Sequence, residues 1–235
     1  MKKRVLIFIA LAACAIVAVF ILGPRRIAVA LKQRASGYKT VEERLDRFGP
    51  AARARLQVRF DRAGVDYPPA DLVMVGLKKE RRLELWAKGV CVAEYPILGA
   101  SGKMGPKLKE GDCQVPEGLY LIECLNPNSL FHLSLRLDYP NAYDWEKARL
   151  DGRSDPGSDI MIHGSTASIG CLAMGDQAAE DLFVLAADTG LEKISVLLSP
   201  LDMRVHGVPS PPRGAPEWVP ELYGTIFEAL AELEE

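Results

Sequence analysis

Histidine is scarce in this chain, with only His132, His163 and His206 among 235 residues. The five cysteines include no Cys-x-x-Cys pair, so no cluster has the spacing of a dedicated metal site, and no cofactor or metal is called for. Neither sign of charge dominates, since 29 basic residues face 31 acidic ones. Without a basic stripe carrying interleaved aromatics, the sequence argues against nucleic acid as a partner. Apart from Cys14, the cysteines at 91, 113, 124 and 171 are too few and too irregular for a disulfide scaffold. One pair, for instance Cys113 with Cys124, stays open if the compartment is oxidising. Internal repeats and low-complexity tracts are lacking. The glycine-rich stretch "GASGKMGPKLKEGDCQVPEG" lacks the order of a phosphate cradle and reads as a solvated connection between strands.

What is present is an ordinary globular composition, 49% hydrophobic and 26% charged, long enough for one sizeable core or two small ones. The first residues stand apart. Met1-Lys2-Lys3-Arg4 leads into the uncharged run Val5 to Gly23, closed by Pro24, Arg25 and Arg26. About 20 apolar residues span most of a bilayer core, whereas the apolar part of a signal peptide is usually about 7 to 15 residues long. Residues 1–26 therefore read as an uncleaved membrane anchor. Cleavage near Ala28 to Ala30, giving a secreted chain, and a lipobox-like end at Cys14 fit less well. Positive residues before the run place its start in the cytoplasm and the remainder in the envelope, facing the periplasm.

Beyond the anchor, residues 37–66 form a helical pre-domain. Thr40 with Glu43 makes a capping box, and Val41, Leu45 and Phe48 share a face. Gly49-Pro50 is expected to end this helix, and a second carries Ala52, Leu56 and Phe60 to Gly64. After "VDYPPADL" the pattern changes to short strand-like runs, "DLVMVGL", "RLELWAK", "VCVAEYPIL" and "LYLIECL", the signature of a β-meander. "PNSLFHLSLRLDYPNAYD" adds an alternating stretch and a proline-marked turn. Asp176 to Gly190 is an amphipathic helix, and "KISVLLSP" a last strand. Residues 201–235 are a proline-rich linker and a terminal helix carrying Leu222, Ile226, Leu230 and Leu233.

One stretch carries chemistry: "SDIMIHGSTASIGCLAM", in which His163 precedes Cys171 by eight residues and each has a glycine beside it. A buried cysteine and a satisfied core histidine would be the plain reading. Against it, Cys171 stands shortly before a helix that starts near Asp176, whose positive end would lower the thiol pKa from about 8.5. His163 could take the thiol proton and pass it to a leaving amine. Gly170 permits a tight turn, so the backbone N–H groups of Gly170 and Cys171 could hold a developing oxyanion. Such a set performs acyl transfer at a carbonyl.

From about Asp71 to Pro200 the chain resembles the L,D-transpeptidase catalytic domain family (YkuD-type), most nearly its YafK-like murein enzymes. The resemblance runs in order through "KKERRLELW", "EGDCQVPEGLYLI", "NPNSLFHLSLRLDYPNAYD", "DIMIHG" and "SIGCLAM". It implies a mainly β, α+β fold with flanking helices, a β-sandwich catalytic domain over residues 71–200. It also implies Cys171 as nucleophile, His163 as general base, Gly170 and Cys171 as oxyanion donors, and Ser168, Gly164, Tyr139, Asn141 and Arg136 as substrate contacts. Two positions depart from the family pattern: Ile169 stands where a second histidine is usual, and Ala173 where arginine or asparagine is usual. The implied activity is modification of diaminopimelate-containing peptidoglycan stem peptides through a Cys171 thioester, giving crosslinks, protein tethering to an envelope acceptor, or D-amino-acid exchange. The alternatives are a murein hydrolase of the same family and a non-catalytic peptidoglycan-binding module. For the other candidates, His132 could face the cleft, Asp155 and Asp159 serve a turn or orient His163, and His206 is solvated.

Overall fold

The computed structural model describes residues 37–234. The expected membrane anchor lies outside them. Among the described residues, no helix is long and apolar enough to cross a membrane.

Helix α1, Val41–Ala63, is a single element with Pro50 inside it, which corrects the expected break at Gly49-Pro50. A proline in a helix interior costs about 3 kcal/mol. One face of α1 buries Gly49, Ala52, Leu56 and Phe60, and a fully buried Leu or Phe contributes roughly 1.5–3 kcal/mol each. Burial along that face therefore outweighs the lost backbone bond. Leu56 and Phe60 belong to the same hydrophobic cluster as the strands, so the segment read as a pre-domain shares the main core.

The strands are β1 (Leu72–Leu77), β2 (Arg82–Ala87), β3 (Val90–Pro96), β4 (Gly118–Asn126), β5 (Ser134–Leu137), β6 (Met161–His163), β7 (Leu172–Ala173) and β8 (Ile194–Ser199). They form one eight-stranded mixed sheet in the order β3-β2-β1-β8-β4-β5-β6-β7. The meander expectation holds for β1-β2-β3, which pair antiparallel. At the centre, however, β1 runs parallel to β8, a partner about 120 residues away in the chain, from Leu72↔Ile194 to Leu77↔Ser199. Both faces of this central pair are covered, which explains why "DLVMVGL" and "KISVLLSP" read as nearly continuous apolar runs.

The expected two-layered sandwich takes the form of one continuous strand order whose two halves share the main core and join through β4. Its residues Gly118 to Leu121 pair with β8, and those from Ile122 onward pair with β5. The register shifts between Ile122 and Cys124, and such an irregularity bends a strand and increases its twist. Gly99, just past β3, bridges Ala173 in β7, so the outermost strands meet and the sheet rolls round on itself. An otherwise exposed strand edge is thereby covered.

Helix α2, Ala142–Leu150, starts within the expected proline-marked turn and continues past it. Asn141 caps it, accepting from the Tyr143 and Asp144 N–H groups, while Asp144 returns a bond to the Asn141 N–H. That capping box was readable in "NAYD". Helix α3, Asp176–Thr189, fits the expected amphipathic helix and buries Leu182, Phe183, Leu185 and Ala186 against the main core. The short α4 (Met203–His206) precedes α5, Val219–Ala231. In α5, Leu222, Tyr223, Ile226 and Leu230 form a second core with Val75, Leu77 and Leu197 on the opposite face of the central strands.

Candidate active site

Strands β6 and β7 run parallel, with Ile162 opposite Leu172 and His163 opposite Ala173. Continuing that register by one residue sets Cys171 opposite Met161. Side chains alternate along a strand, so Met161, His163, Cys171 and Ala173 share a face, and Cys171 is the diagonal neighbour of His163. With strands about 4.8 Å apart and about 3.3 Å of rise per residue, such a diagonal separates two Cα atoms by about 8 Å, a span that a cysteine and a histidine side chain can bridge.

His163 is buried, and its ring stacks on Phe131 with centroids 4.5 Å apart. Its Nδ1 lies 2.5 Å from the Gly164 carbonyl oxygen. That contact assigns the ring proton to Nδ1, donating to the carbonyl, and puts the basic lone pair on Nε2. Gly164 is required here, because a Cβ would come 2.6 Å from the Phe131 carbonyl oxygen and 2.8 Å from Asp176 Oδ1. Gly164 is thus fixed by close packing beside His163.

Cys171 is half-buried, with Sγ 3.5 Å from the main-chain oxygen of Asp159. Its thiol is pushed up from its ordinary value, first by burial and also by Asp159, against a backbone hydrogen bond from Met161 and the Lys107 charge. This corrects the expected lowering by a helix terminus. Burial dominates at the sulfur, and β7 stands between Cys171 and α3 along the chain. A deprotonating base is therefore needed to make the thiolate.

Both expected oxyanion donors are engaged by hydroxyls. The Gly170 N–H donates to Ser101 Oγ at 2.6 Å, and the Cys171 N–H to Ser168 Oγ at 2.9 Å. Ser101 Oγ donates onward to the Cys113 carbonyl at 2.7 Å, and Ser168 Oγ to the Cys171 carbonyl at 2.6 Å. Gly170 has φ +87°, the left-handed conformation its tight turn demands. Ser168, expected to touch substrate, instead braces the backbone of Cys171.

Of the remaining candidates, the fold brings only Arg136 to this face. Arg136 pairs across β5 and β6 with Met161, in the row that continues to Cys171. Its guanidinium forms ion pairs with Glu123 (3.0 Å) and Asp159 (3.4 Å). Tyr139 is buried, and its hydroxyl donates to the Pro156 carbonyl at 2.7 Å. Asn141 is the α2 cap, with its Nδ2 donating to the Leu119 carbonyl. Both serve the scaffold rather than the site. His132 turns toward Glu180, with Nε2 and Oε1 2.9 Å apart, and lies edge-on to Phe48, away from the sulfur. His206 lies 3.5 Å from Glu80. Asp155 serves its turn, accepting from the Gly157 N–H, while Asp159 pairs with Arg136 rather than orienting His163.

Ser101 and Lys107 went unnoticed in the sequence because the loop that carries them was read as solvated. Lys107 is buried, and its Nζ donates to Asp112 and to the Lys109 carbonyl. Lys78 anchors the same loop from below, donating to the Gly105 and Val115 carbonyls and to Glu117. The available signal was length, because structureless connections longer than about 12–15 residues tend to be functional. The described cysteines are free thiols. Among the described residues, no group of three or more His, Cys, Asp or Glu side chains is placed to hold a metal ion.

A rolled mixed sheet that presents a cysteine and a histidine on one face of adjacent strands is equipped for nucleophilic acyl transfer. The family model described as the L,D-transpeptidase catalytic domain (YkuD) matches residues 70–196, and the chain belongs to that family. Over 112 residues it is 38% identical to a putative L,D-transpeptidase, YafK, of Escherichia coli, a match covering 45% of this chain and 43% of the relative. The chain thus spans less than half the length of the curated relatives it matches. Among solved structures it is similar to the helical cell shape determining protein Pgp2 of Campylobacter jejuni, at 21% identity, 56% and 48% coverage of the two chains, and TM-score 0.44. It is also similar to L,D-transpeptidase 1 of Mycobacterium tuberculosis, at 14% identity, 55% and 61% coverage, and TM-score 0.33.

Proposed function

We propose that this chain is a cysteine acyltransferase acting on diaminopimelate-containing peptidoglycan stem peptides at the envelope face of the cell. The observation that carries the reading is the shared face of β6 and β7, on which Cys171 and His163 are diagonal neighbours and Arg136 stands in the same row of side chains. His163 Nε2 takes the Cys171 proton, and the sulfur attacks the carbonyl at the L-centre of diaminopimelate. As the tetrahedral intermediate collapses, the carbon–nitrogen bond breaks and the imidazolium returns its proton to the departing amine, leaving a thioester. An acceptor amine then attacks the thioester, giving a 3-3 crosslink, an exchanged D-amino acid or a tethered envelope protein, and the thiol is regenerated.

During both attacks the Gly170 and Cys171 N–H groups hold the oxyanion as the Ser101 and Ser168 hydroxyls yield to it. One such donor is worth about 10²–10³ in rate. Arg136 receives a substrate carboxylate, for which its forked guanidinium is suited. Hydrolysis of the thioester, yielding cleaved peptide, is favoured as a second reading by Ile169, which is 68% exposed where a polar histidine is usual in the family. Incubating the purified chain with muropeptides and separating products by mass distinguishes the outcomes. Dimers or exchanged peptides support transfer, and released tripeptide supports hydrolysis. Turnover that persists unchanged in Cys171→Ala overturns both.

A further inference from the structure

Asp159 makes two contacts at once. Its carboxylate pairs with Arg136 at 3.4 Å, and its main-chain oxygen accepts from Cys171 Sγ at 3.5 Å. It does so from a left-handed backbone conformation, φ 57°, which aspartate and asparagine adopt more readily than other side chains. The geometry points to Asp159 as a latch: its carboxylate occupies Arg136 in place of a substrate carboxylate, and this pairing holds its carbonyl against the nucleophile until a substrate displaces it.

The inference rests on the reading of Cys171 as nucleophile and Arg136 as carboxylate contact. It adds that recognition and activation are coupled through one residue. Each hold is weak enough to be exchanged. The Asp159 side chain is 64% exposed and the Arg136 side chain 38%, and ion pairs this open are readily replaced by a competing carboxylate. A thiol is a poor hydrogen-bond donor, so the contact at 3.5 Å restrains the sulfur without trapping it. Glu123, the other partner of Arg136 at 3.0 Å, has no such tie to the sulfur and keeps the guanidinium oriented as Asp159 leaves. When Asp159 is displaced from Arg136, its carbonyl withdraws with it, and the thiol is released toward His163. The resting enzyme is thereby guarded against idle reaction at sulfur, and the guard opens for peptides carrying a carboxylate placed to reach Arg136.

The test is the rate at which iodoacetamide alkylates Cys171 in the full chain, followed by peptide mass mapping, with the half-buried Cys91 as internal reference for an intact fold and the exposed Cys113 and Cys124 as references for reagent strength. Asp159→Asn tolerates the left-handed backbone and removes the charge. It is expected to raise the Cys171 rate about three- to fivefold, the ratio a weak exposed pair can supply, while leaving Cys91, Cys113 and Cys124 unchanged. Free diaminopimelate is expected to accelerate alkylation of Cys171 in the wild type and to have no effect in Asp159→Asn or Arg136→Gln. Equal Cys171 rates in wild type and Asp159→Asn, or acceleration by diaminopimelate in both, overturns the latch. Failure of the catalytic reading shows separately, as alkylation indifferent to His163→Ala and absence of muropeptide turnover.

Discussion

The two halves of the rolled sheet are built differently. Around β1, β2, β3 and β8 the strands run six or seven residues, and the central pair is covered on both faces, by the main core with α1 and α3 and by α5. In the half that carries the site, β6 has three residues and β7 two. Of the non-glycine residues described at positive φ, Arg81 and Lys88 sit in the hairpin turns of the first half. Cys113, His132, Asp159 and Ser165 lie in the connections of the second half, and Asp159 touches the sulfur itself. Backbone held in such conformations needs support from elsewhere, and it concentrates where geometry serves chemistry. The long-stranded half supplies that support, which leaves the short-stranded half able to hold unfavourable backbone close to the sulfur.

This division predicts that substitutions in the first half lower stability and leave the rate per folded molecule intact, while substitutions around the site do the reverse. Phe60→Ala empties a fully buried position in α1 and is expected to cost about 3–5 kcal/mol in denaturant unfolding, with turnover per folded molecule unchanged. Loss of turnover in proportion beyond the unfolded fraction would break the comparison. Gly164→Ala brings a Cβ within 2.6 Å of the Phe131 carbonyl oxygen and moves the ring that stacks on His163. A shift of about 1 Å at such a site costs about 10²-fold in rate, so muropeptide turnover should collapse while most of the melting temperature is retained.

Asn141→Ala should cost about 1 kcal/mol, the ordinary worth of a helix cap, with no change in the apparent affinity for muropeptides. A large rise in that constant would restore Asn141 as a substrate contact. A pH-dependent effect is expected from Asp144, whose carboxyl is pushed up to about 6, chiefly by burial, from an ordinary 3.8. The fold favours its protonated form, so its contribution to stability is fully present below about pH 3.8 and is lost as pH rises through about 6. Melting curves of wild type and Asp144→Asn across that window should differ in slope, with the variant the flatter.

Much of this architecture is written locally. The alternating or continuous apolar runs of β1 to β4, the four-residue steps of α3 and α5, and the His-Gly and Gly-Cys pairs are all readable along the chain. Other features depend on partners far away in sequence. Pro50 reads as a stop until the core contacts of Leu56 and Phe60 are known, and the parallel pairing of β1 with β8 leaves no local mark. The thiol of Cys171 was misjudged for the same reason: its neighbours Asp159, Met161 and Lys107 come from other segments, while the nearest helix in sequence begins beyond β7. Ser101, which meets the Gly170 N–H from 69 residues away, left only the length of its loop as a clue. The α2 helix is the opposite case, since the Asn141 and Asp144 capping box was there to be read.

The central claim is that Cys171 forms an acyl bond to a stem peptide with the help of His163. The most direct measurement is the mass of the chain, and then of its Cys171 peptide, after rapid mixing with a diaminopimelate-containing tetrapeptide and acid quenching. The account predicts a tripeptide-sized adduct confined to Cys171, absent from Cys171→Ala and strongly diminished in His163→Ala. An adduct on another residue, or turnover of the peptide with no involvement of this sulfur, would contradict it.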